Sequence, residues 1–258
     1  MRPLTELPDE ICRALETVFC DIDDTLTTGG RLPSAAFAAL WRAHEAGVKV
    51  VPVTGRPAGW CDHLARMWPV AAVVGENGAL AFALIAGKMR RLFAERPPDA
   101  AQRLAAIERE VLAQVPGSKV AADQPYRSYD LAIDFCEEVP RLDEEQISRI
   151  VEIFQRHGAT AKVSSIHVNG WFGHFDKLSM CRRCSVEFLG SALDPERATF
   201  VGDSPNDVPM FRFCPHAVGV ANVEEMAHRM EVLPAYVTRA RGGEGFAEFI
   251  DLLLGRRG

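Results

Sequence analysis

Positive charge is scarce in this chain: 29 Lys and Arg stand against 35 Asp and Glu, a net charge of −6 with a pI near 5.7. That balance argues against a protein that holds nucleic acid by neutralising phosphates, although a local positive site for a small anion stays open. Long apolar runs are missing too. No stretch approaches the ~20 residues of a membrane span, and residues 1–10 lack the apolar core of a secretory signal. The seven cysteines are odd in number and scattered, which suits free thiols in a reducing compartment and excludes a disulfide framework. Internal repeats and low-complexity segments are absent. A cytoplasmic protein with neither a membrane nor a nucleic-acid partner is the expectation.

What is present is material for one large α/β domain or two smaller ones: 258 residues, 48% hydrophobic and 25% charged. Val18 and Phe19 form a β-type approach, a helical stretch from Ala35 to Glu45 ends at Gly47, and Val48 to Val53 suits a strand covered on both faces. This β-α-β grammar predicts a parallel sheet. A helix over 58–68, a strand over 71–74 and the turn Gly75-Glu76-Asn77-Gly78 follow, with a hairpin into the apolar run 79–86 as one reading of Asn77-Gly78. From about Leu84 to Phe175 the pattern changes. A short strand and turn over 85–93, helices over 99–114 and 142–157, an alternating strand over 129–135 and one or two strands within 162–172 predict an α+β unit with an antiparallel sheet. The chain therefore divides into a core of residues 1–83 and 176–258 and an insertion of residues 84–175. After Asp176 the first style returns, with a helix to about Leu189, strands over 198–201, 217–220 and 235–238, a helix over 222–230, and a glycine-rich turn from Arg241 to Gly245 before a closing helix.

Acidic residues gather where strands of this sheet should end. Asp21 and Asp23 follow the first strand with Thr25 two further on, and carboxylates so placed repel unless a cation or donors compensate. A calcium loop is excluded because its sixth and twelfth places hold Leu26 and Leu32. A divalent metal of the Mg²⁺ type is the simplest compensation; a polar turn with Asp24 or Thr25 as a helix cap is the plainer alternative. Thr54-Gly55-Arg56-Pro57 ends the second strand on the same rim, where a hydroxyl and backbone N–H groups can hold a phosphate oxygen, or where proline simply starts a helix. In Gly202-Asp203-Ser204-Pro205-Asn206-Asp207, helix-start chemistry accounts for Ser204, Pro205 and Asp207 but leaves Asp203 unexplained. Lys177 falls in the first turn of a predicted helix, where the dipole disfavours a cation unless an anion is near. Cys181 and Cys184 with His167 and His174 lack the spacing of a zinc site.

These four segments, in this order, resemble the haloacid dehalogenase superfamily of phosphotransferases, and within it the subfamily IIB (Cof-type) hydrolases, whose Rossmann-like core carries an inserted α+β cap. The resemblance implies an Mg²⁺-dependent phosphatase acting on a small phosphorylated metabolite, a sugar phosphate above all. Asp21 would be the nucleophile forming an aspartyl-phosphate, and Asp23 the acid and then the base. Mg²⁺ would be held by the Asp21 carboxylate, the Asp23 carbonyl and Asp203, with Asp207 supporting. Thr54, Gly55, Lys177 and Asn206 would bind the phosphoryl oxygens, with Ser204 in support.

Two departures bear on the substrate. Leu178 follows the motif lysine where many relatives have glycine, and the stretch from Ser165 to His174 carries two histidines and Trp171 without a familiar pattern. Arg56, Glu76, Asn77, Arg127, His167, Asn169 and His174 are candidate substrate contacts. A phosphomutase acting on a hexose phosphate and a non-catalytic metabolite-binding protein of the same fold are the rival readings. Oligomeric state is not legible.

Overall fold

The computed structural model describes residues 1–164 and 166–257; Ser165 and Gly258, which fall in the stretches just named, lie outside the described residues. Its centre is a parallel six-stranded sheet in the order Arg2–Pro3, Tyr236–Val237, Val218–Gly219, Ala198–Gly202, Thr17–Cys20, Lys49–Pro52. Successive residues of a strand point to opposite faces. Val18 and Cys20 accordingly join one apolar cluster with the helices Ser34–Glu45 and Gly242–Gly255, while Phe19 joins another with Lys177–Cys184 and Val208–Phe213. Burial on both faces is why these strands lack polar alternation.

Val53 bridges Val74 in parallel, and Val73–Gly75 passes the sheet on to an antiparallel hairpin, Leu80–Ile85 with Lys88–Phe93. The boundary expected at residue 84 cuts through this hairpin: residues 80–83 fall on the core side and Lys88–Phe93 in the insertion, although Lys88–Phe93 pairs with Leu80–Ile85, which in turn pairs with Val73–Gly75. The turn that closes the first hairpin, Glu76–Gly78, has Glu76, Asn77 and Gly78 all at positive φ (45°, 56° and 102°), a strained path for two non-glycine residues.

The second unit is an antiparallel sheet in the order Lys119–Val120, Leu131–Asp134, His167–Trp171, Thr160–Val163. The helices Ala100–Gln114 and Glu144–Arg156 cover one face and share a separate core with Leu131, Ile133 and Val168. A capping box at Asp143 and Gln146 starts the second of these helices. Alternation then sends Asp134, His167 and Asn169 to the opposite face, where they are nonetheless at most 2% exposed. That buried polar face lies against the carboxyl-end rim of the parallel sheet.

Three expected elements differ in detail. The helix from Lys177 is α-helical only to Cys184 and ends in a π turn, Ser185–Leu189. The expected helix over 222–230 is one α turn, Val223–Met226, followed by a 3₁₀ turn. The glycine-rich stretch is the beginning of the last helix, not a turn before it. Its glycines serve close packing: a Cβ at Gly243 would stand 2.5 Å from the Leu26 carbonyl oxygen and from Pro33.

At Gly170, in the middle of the second sheet, an added Cβ would lie 2.1 Å from the buried Phe154 ring. Gly170→Ala should therefore cost about 1–3 kcal/mol through overpacking. A lower denaturant midpoint with an unchanged slope is the expected readout, and an unaltered midpoint would show that the ring has room to move.

Candidate active site

Adjacent strands deliver the carboxylates. Thr17–Cys20 and Ala198–Gly202 pair with Cys20 opposite Val201, so Asp21 and Asp203 leave neighbouring strand ends, and the Asp21 N–H donates to the Val201 carbonyl at 2.9 Å. The 3₁₀ turn Pro205–Asp207 then folds Asp207 back onto its own loop. Carboxylate oxygens of Asp21, Asp203 and Asp207 come within 4.8 Å of one another, and all three residues are buried.

Lys177 is the counter-charge. Its Nζ donates to Asp21 Oδ1 at 2.7 Å and to Asp207 Oδ1 at 2.6 Å, with the side chain 2% exposed. The adverse helix position has its explanation here: two carboxylates outweigh the dipole. Two of the three ammonium donors are used, which leaves one for a ligand. Burial pulls the lysine's pKa down, but Asp207 and Asp21 outweigh it and hold the ammonium form firmly. Burial pushes Asp21 up to about 8, with Lys177 opposing and Asp207 and Asp23 adding to the rise. Asp203 is raised well above the carboxylate range by burial and by Asp21 and Asp207. One lysine is thus too little positive charge for the cluster.

The supporting contacts are specific. Asp203 accepts from Thr25 Oγ1 at 3.1 Å on one oxygen and from Asn222 Nδ2 at 3.1 Å on the other. Asp207 Oδ2 accepts from the backbone N–H groups of Asp203 and Ser204 at 3.1 and 3.2 Å. Both oxygens of Asp203 and of Asp207 are therefore engaged, whereas Asp21 accepts a side-chain hydrogen bond on Oδ1 alone among the described residues. Thr54 is fully buried and its Oγ1 accepts from the Arg56 N–H at 3.0 Å, so its hydroxyl hydrogen can still donate. Asn206 accepts from Ser204 Oγ at 2.6 Å through Oδ1, which leaves its amide nitrogen as a donor. An all-oxygen set with excess negative charge fits a small hard divalent cation.

Asp23 stands apart from the three-carboxylate cluster. The Arg56 fork holds it, Nε at 3.0 and 3.1 Å from its two oxygens and Nη2 at 2.9 Å from Oδ1. Asp21, Asp23, Gly55, Arg56, Arg127, His167, Asn169 and Asn206 line one narrow cavity between the two units. His174 lines a different cleft with Trp171 and Arg183. Glu76 faces neither. Its carboxylate accepts backbone N–H groups of Ala58 (2.9 Å), Ser128 (2.8 Å), Tyr129 (2.6 Å) and Asp130 (3.2 Å), fastening the second unit to the core. Burial first and Asp130 second push it up to about 7, against those donors. Asn77 is buried beside Gly55, with no partner for its Nδ2 among the described residues.

The guanidinium of Arg127 is occupied by Asp123, Asp130 and the Gly55 carbonyl, and its side chain is fully buried. Asn169 donates to Asp130 Oδ2 at 2.9 Å. Sequence reading missed Asn222, Asp123, Asp130 and Glu137. Asn222 was visible only as a helix start, Glu137 lies 81 residues from Arg56, and Asp123 and Asp130, only four and three residues from Arg127, sit in no pattern that announces their pairing with it. Cys181 and Cys184 are buried core residues, and among the described residues the only close group of metal-ligating side chains is the aspartate cluster.

The haloacid dehalogenase-like hydrolase model matches residues 18–102, the stretch carrying Asp21, Asp23 and Thr54. A phosphoglycolate phosphatase of Pyrobaculum neutrophilum is 31% identical over 238 residues, covering 91% of this chain and 93% of that relative. The chain belongs to the haloacid dehalogenase-like hydrolase family. Its enzyme class is phosphoric monoester hydrolase. Two solved structures share the fold of this family member. A Thermoplasma acidophilum protein has a TM-score of 0.72 at 17% identity over 93% of this chain and 98% of its own, and the sucrose-phosphatase of Synechocystis sp. a TM-score of 0.65 at 15% identity over 93% and 98%.

For this hydrolase the charge deficit is testable without turnover. Mg²⁺ should raise the thermal midpoint of the wild type by mass action and leave that of Asp203→Ala unmoved. Asn222→Ala should need about 10–100-fold more Mg²⁺ for the same rise. An equal rise in Asp203→Ala would remove the aspartate cluster from the account.

Proposed function

We propose that this phosphatase hydrolyses small phosphomonoesters, sugar phosphates foremost, through an aspartyl-phosphate on Asp21 with Mg²⁺ as cofactor. One observation carries the reading: among the described residues Lys177 is the one cation bonded to the buried cluster of Asp21, Asp203 and Asp207, which leaves the cluster short of positive charge beside the narrow cavity that Asp21 lines. Such a place favours a cation and a substrate whose phosphoryl group shares the lysine.

Each residue then has a task. Asp21 attacks phosphorus while the phosphorus–oxygen bond to the alcohol breaks, and Asp23 gives the departing alcohol its proton. Water next attacks the phosphorus of the aspartyl-phosphate, Asp23 takes its proton, and orthophosphate leaves with Asp21 restored. Thr54, Gly55, Lys177 and Asn206 would hold the equatorial oxygens with donors already in place. Mg²⁺, held by Asp21, the Asp23 carbonyl and Asp203 with Asp207 in support, would offset the charge of the carboxylates and the phosphoryl group. Residues from about 95 to 175, within the expected insertion of 84–175, would act as a cap that excludes water and reads the alcohol.

A second substrate class, a phosphorylated hydroxy acid, draws support from Arg141. A wider cleft beside the cavity is lined by Asp24, Asp203, Arg141, Arg229 and Arg241. Arg229 pairs with Glu144 and Arg241 with Glu225, whereas Arg141 has no ion-pair partner among the described residues. It could receive a carboxylate on the leaving alcohol, as in the substrate named for the phosphoglycolate phosphatases.

The deciding experiment is a panel of phosphorylated metabolites, including 2-phosphoglycolate and hexose phosphates, with Mg²⁺ present and Asp21→Asn as the contamination control. Release of orthophosphate by the wild type alone is expected; equal rates in Asp21→Asn would refute the nucleophile. Phosphoryl transfer between sugar hydroxyls without net orthophosphate release would favour the mutase. If the hydroxy-acid reading holds, Arg141→Ala should raise KM for 2-phosphoglycolate about tenfold, a loss in the range of 1–2 kcal/mol for one charged contact, and leave hexose phosphates nearly unaffected. Equal effects on both classes would count against it.

A further inference from the structure

Arg56 belongs to the core by sequence and to both units by contact. Its guanidinium grips Asp23 through two nitrogens. The Nη2 that bonds Asp23 Oδ1 at 2.9 Å also donates to Glu137 Oε1 at 2.9 Å, and Glu137 lies in the turn after the second unit's strand Leu131–Asp134. Trp60 lies beneath the guanidinium at 4.6 Å and fixes its plane. The Arg56 backbone N–H is tied to Thr54. Little freedom is left to this side chain except what Glu137 allows it.

Glu137 is itself placed with care. Its backbone N–H donates to Asp134 Oδ1 at 2.7 Å, in a turn where Asp134 also accepts from Cys136 and Glu138. Its other oxygen lies 2.8 Å from His167 Nε2, a close polar contact off the line of a good hydrogen bond. His167, ahead of Arg56, holds the Glu137 carboxyl down to about 2 against partial burial. An ionised carboxylate is therefore presented to Arg56 whenever the second unit is seated.

We propose that Glu137 is a positioning residue that acts through Arg56 on Asp23, so that seating the second unit and orienting the acid/base are a single event. This rests on the reading of Asp23 as the proton donor and acceptor. The arrangement has a physical rationale. A planar five-donor fork transmits orientation between two carboxylates in a way that a lysine ammonium cannot. Proton transfer to the leaving oxygen depends steeply on where Asp23 points. With the second unit away, Arg56 would lose Glu137 and also Asp123, whose Oδ2 lies 3.5 Å from its Nη1, and Asp23 its fixed direction.

Leaving-group chemistry separates this role from a structural one. The alcohol of an alkyl phosphate is a poor leaving group and needs a proton, whereas p-nitrophenolate leaves without one. The quantity kcat/KM covers the steps through release of the alcohol. The experiment measures kcat/KM for p-nitrophenyl phosphate and for an alkyl phosphate that the wild type turns over, in wild type, Glu137→Gln, Arg56→Lys and Asp23→Asn. Circular dichroism checks that each variant is folded.

General acid catalysis contributes about 10²–10⁴-fold, so Asp23→Asn should lower the alkyl-to-aryl ratio by about that factor. Glu137→Gln and Arg56→Lys should each lower it by about tenfold or more, a partial loss within the same range. If the ratio falls in Asp23→Asn but stays within about twofold of wild type in both other variants, the positioning role is overturned while the role of Asp23 stands. If Asp23→Asn itself leaves the ratio unchanged, the acid assignment fails and takes this inference with it. Should Glu137→Gln fail to fold, Arg56→Lys decides alone, because it keeps the charge and removes only the fork.

Discussion

The ammonium of Lys177, closed off from solvent between Asp21 and Asp207, is the contact on which the arrangement of the core depends. Burying an ion is costly unless its partners are close and well aligned, and both partners here lie within 2.7 Å. The parallel sheet makes this possible by ending Thr17–Cys20 and Ala198–Gly202 side by side, and the helix Lys177–Cys184 brings the lysine to the same rim. A cluster left short of positive charge could hold a metal ion, in a chain that belongs to the haloacid dehalogenase-like hydrolase family.

The second unit meets the rim through a different kind of contact. Its inward sheet face carries Asp134, His167 and Asn169, and the adjoining segment carries Arg127 and Asp130, in place of apolar side chains. Buried polar groups are tolerated because almost all are partnered, including four backbone N–H groups on Glu76 and the Gly55 carbonyl on Arg127. A seam built from directional bonds holds one relative placement far more sharply than an apolar seam of the same size. It also explains the positive φ at Glu76, since that strained backbone aims the carboxylate at its donors.

Much of this was legible in residue order and some was not. The strands of the core announced themselves through unbroken apolar runs, and Asp21, Asp23, Thr54, Lys177 and Asp203 through carboxylates, hydroxyl and lysine in one recurring succession. Local rules served less well where tertiary contact overrode them. Glycines read as a turn at Arg241–Gly245 open a helix, and Leu26 and Pro33 leave no room there for a Cβ at Gly243. Glu76, read as a substrate contact, spends its hydrogen bonds on joining the two units, and Arg127, read likewise, spends its own on Asp123 and Asp130 and on the Gly55 carbonyl across the seam.

By itself the sequence determined the alternation of elements, the family resemblance and which polar residues stand at the strand ends, because each depends on residue type at short separation. Only the tertiary structure decided which acids share the lysine, that Arg56 holds Asp23, and that Asn222 and Glu137 stand behind them. The physical reason is range. Helix and strand patterns are set by neighbours a few residues apart, whereas a buried site is built from groups far apart in the chain, such as Thr25 and Asp203, separated by 178 residues, which meet only when the sheet has formed.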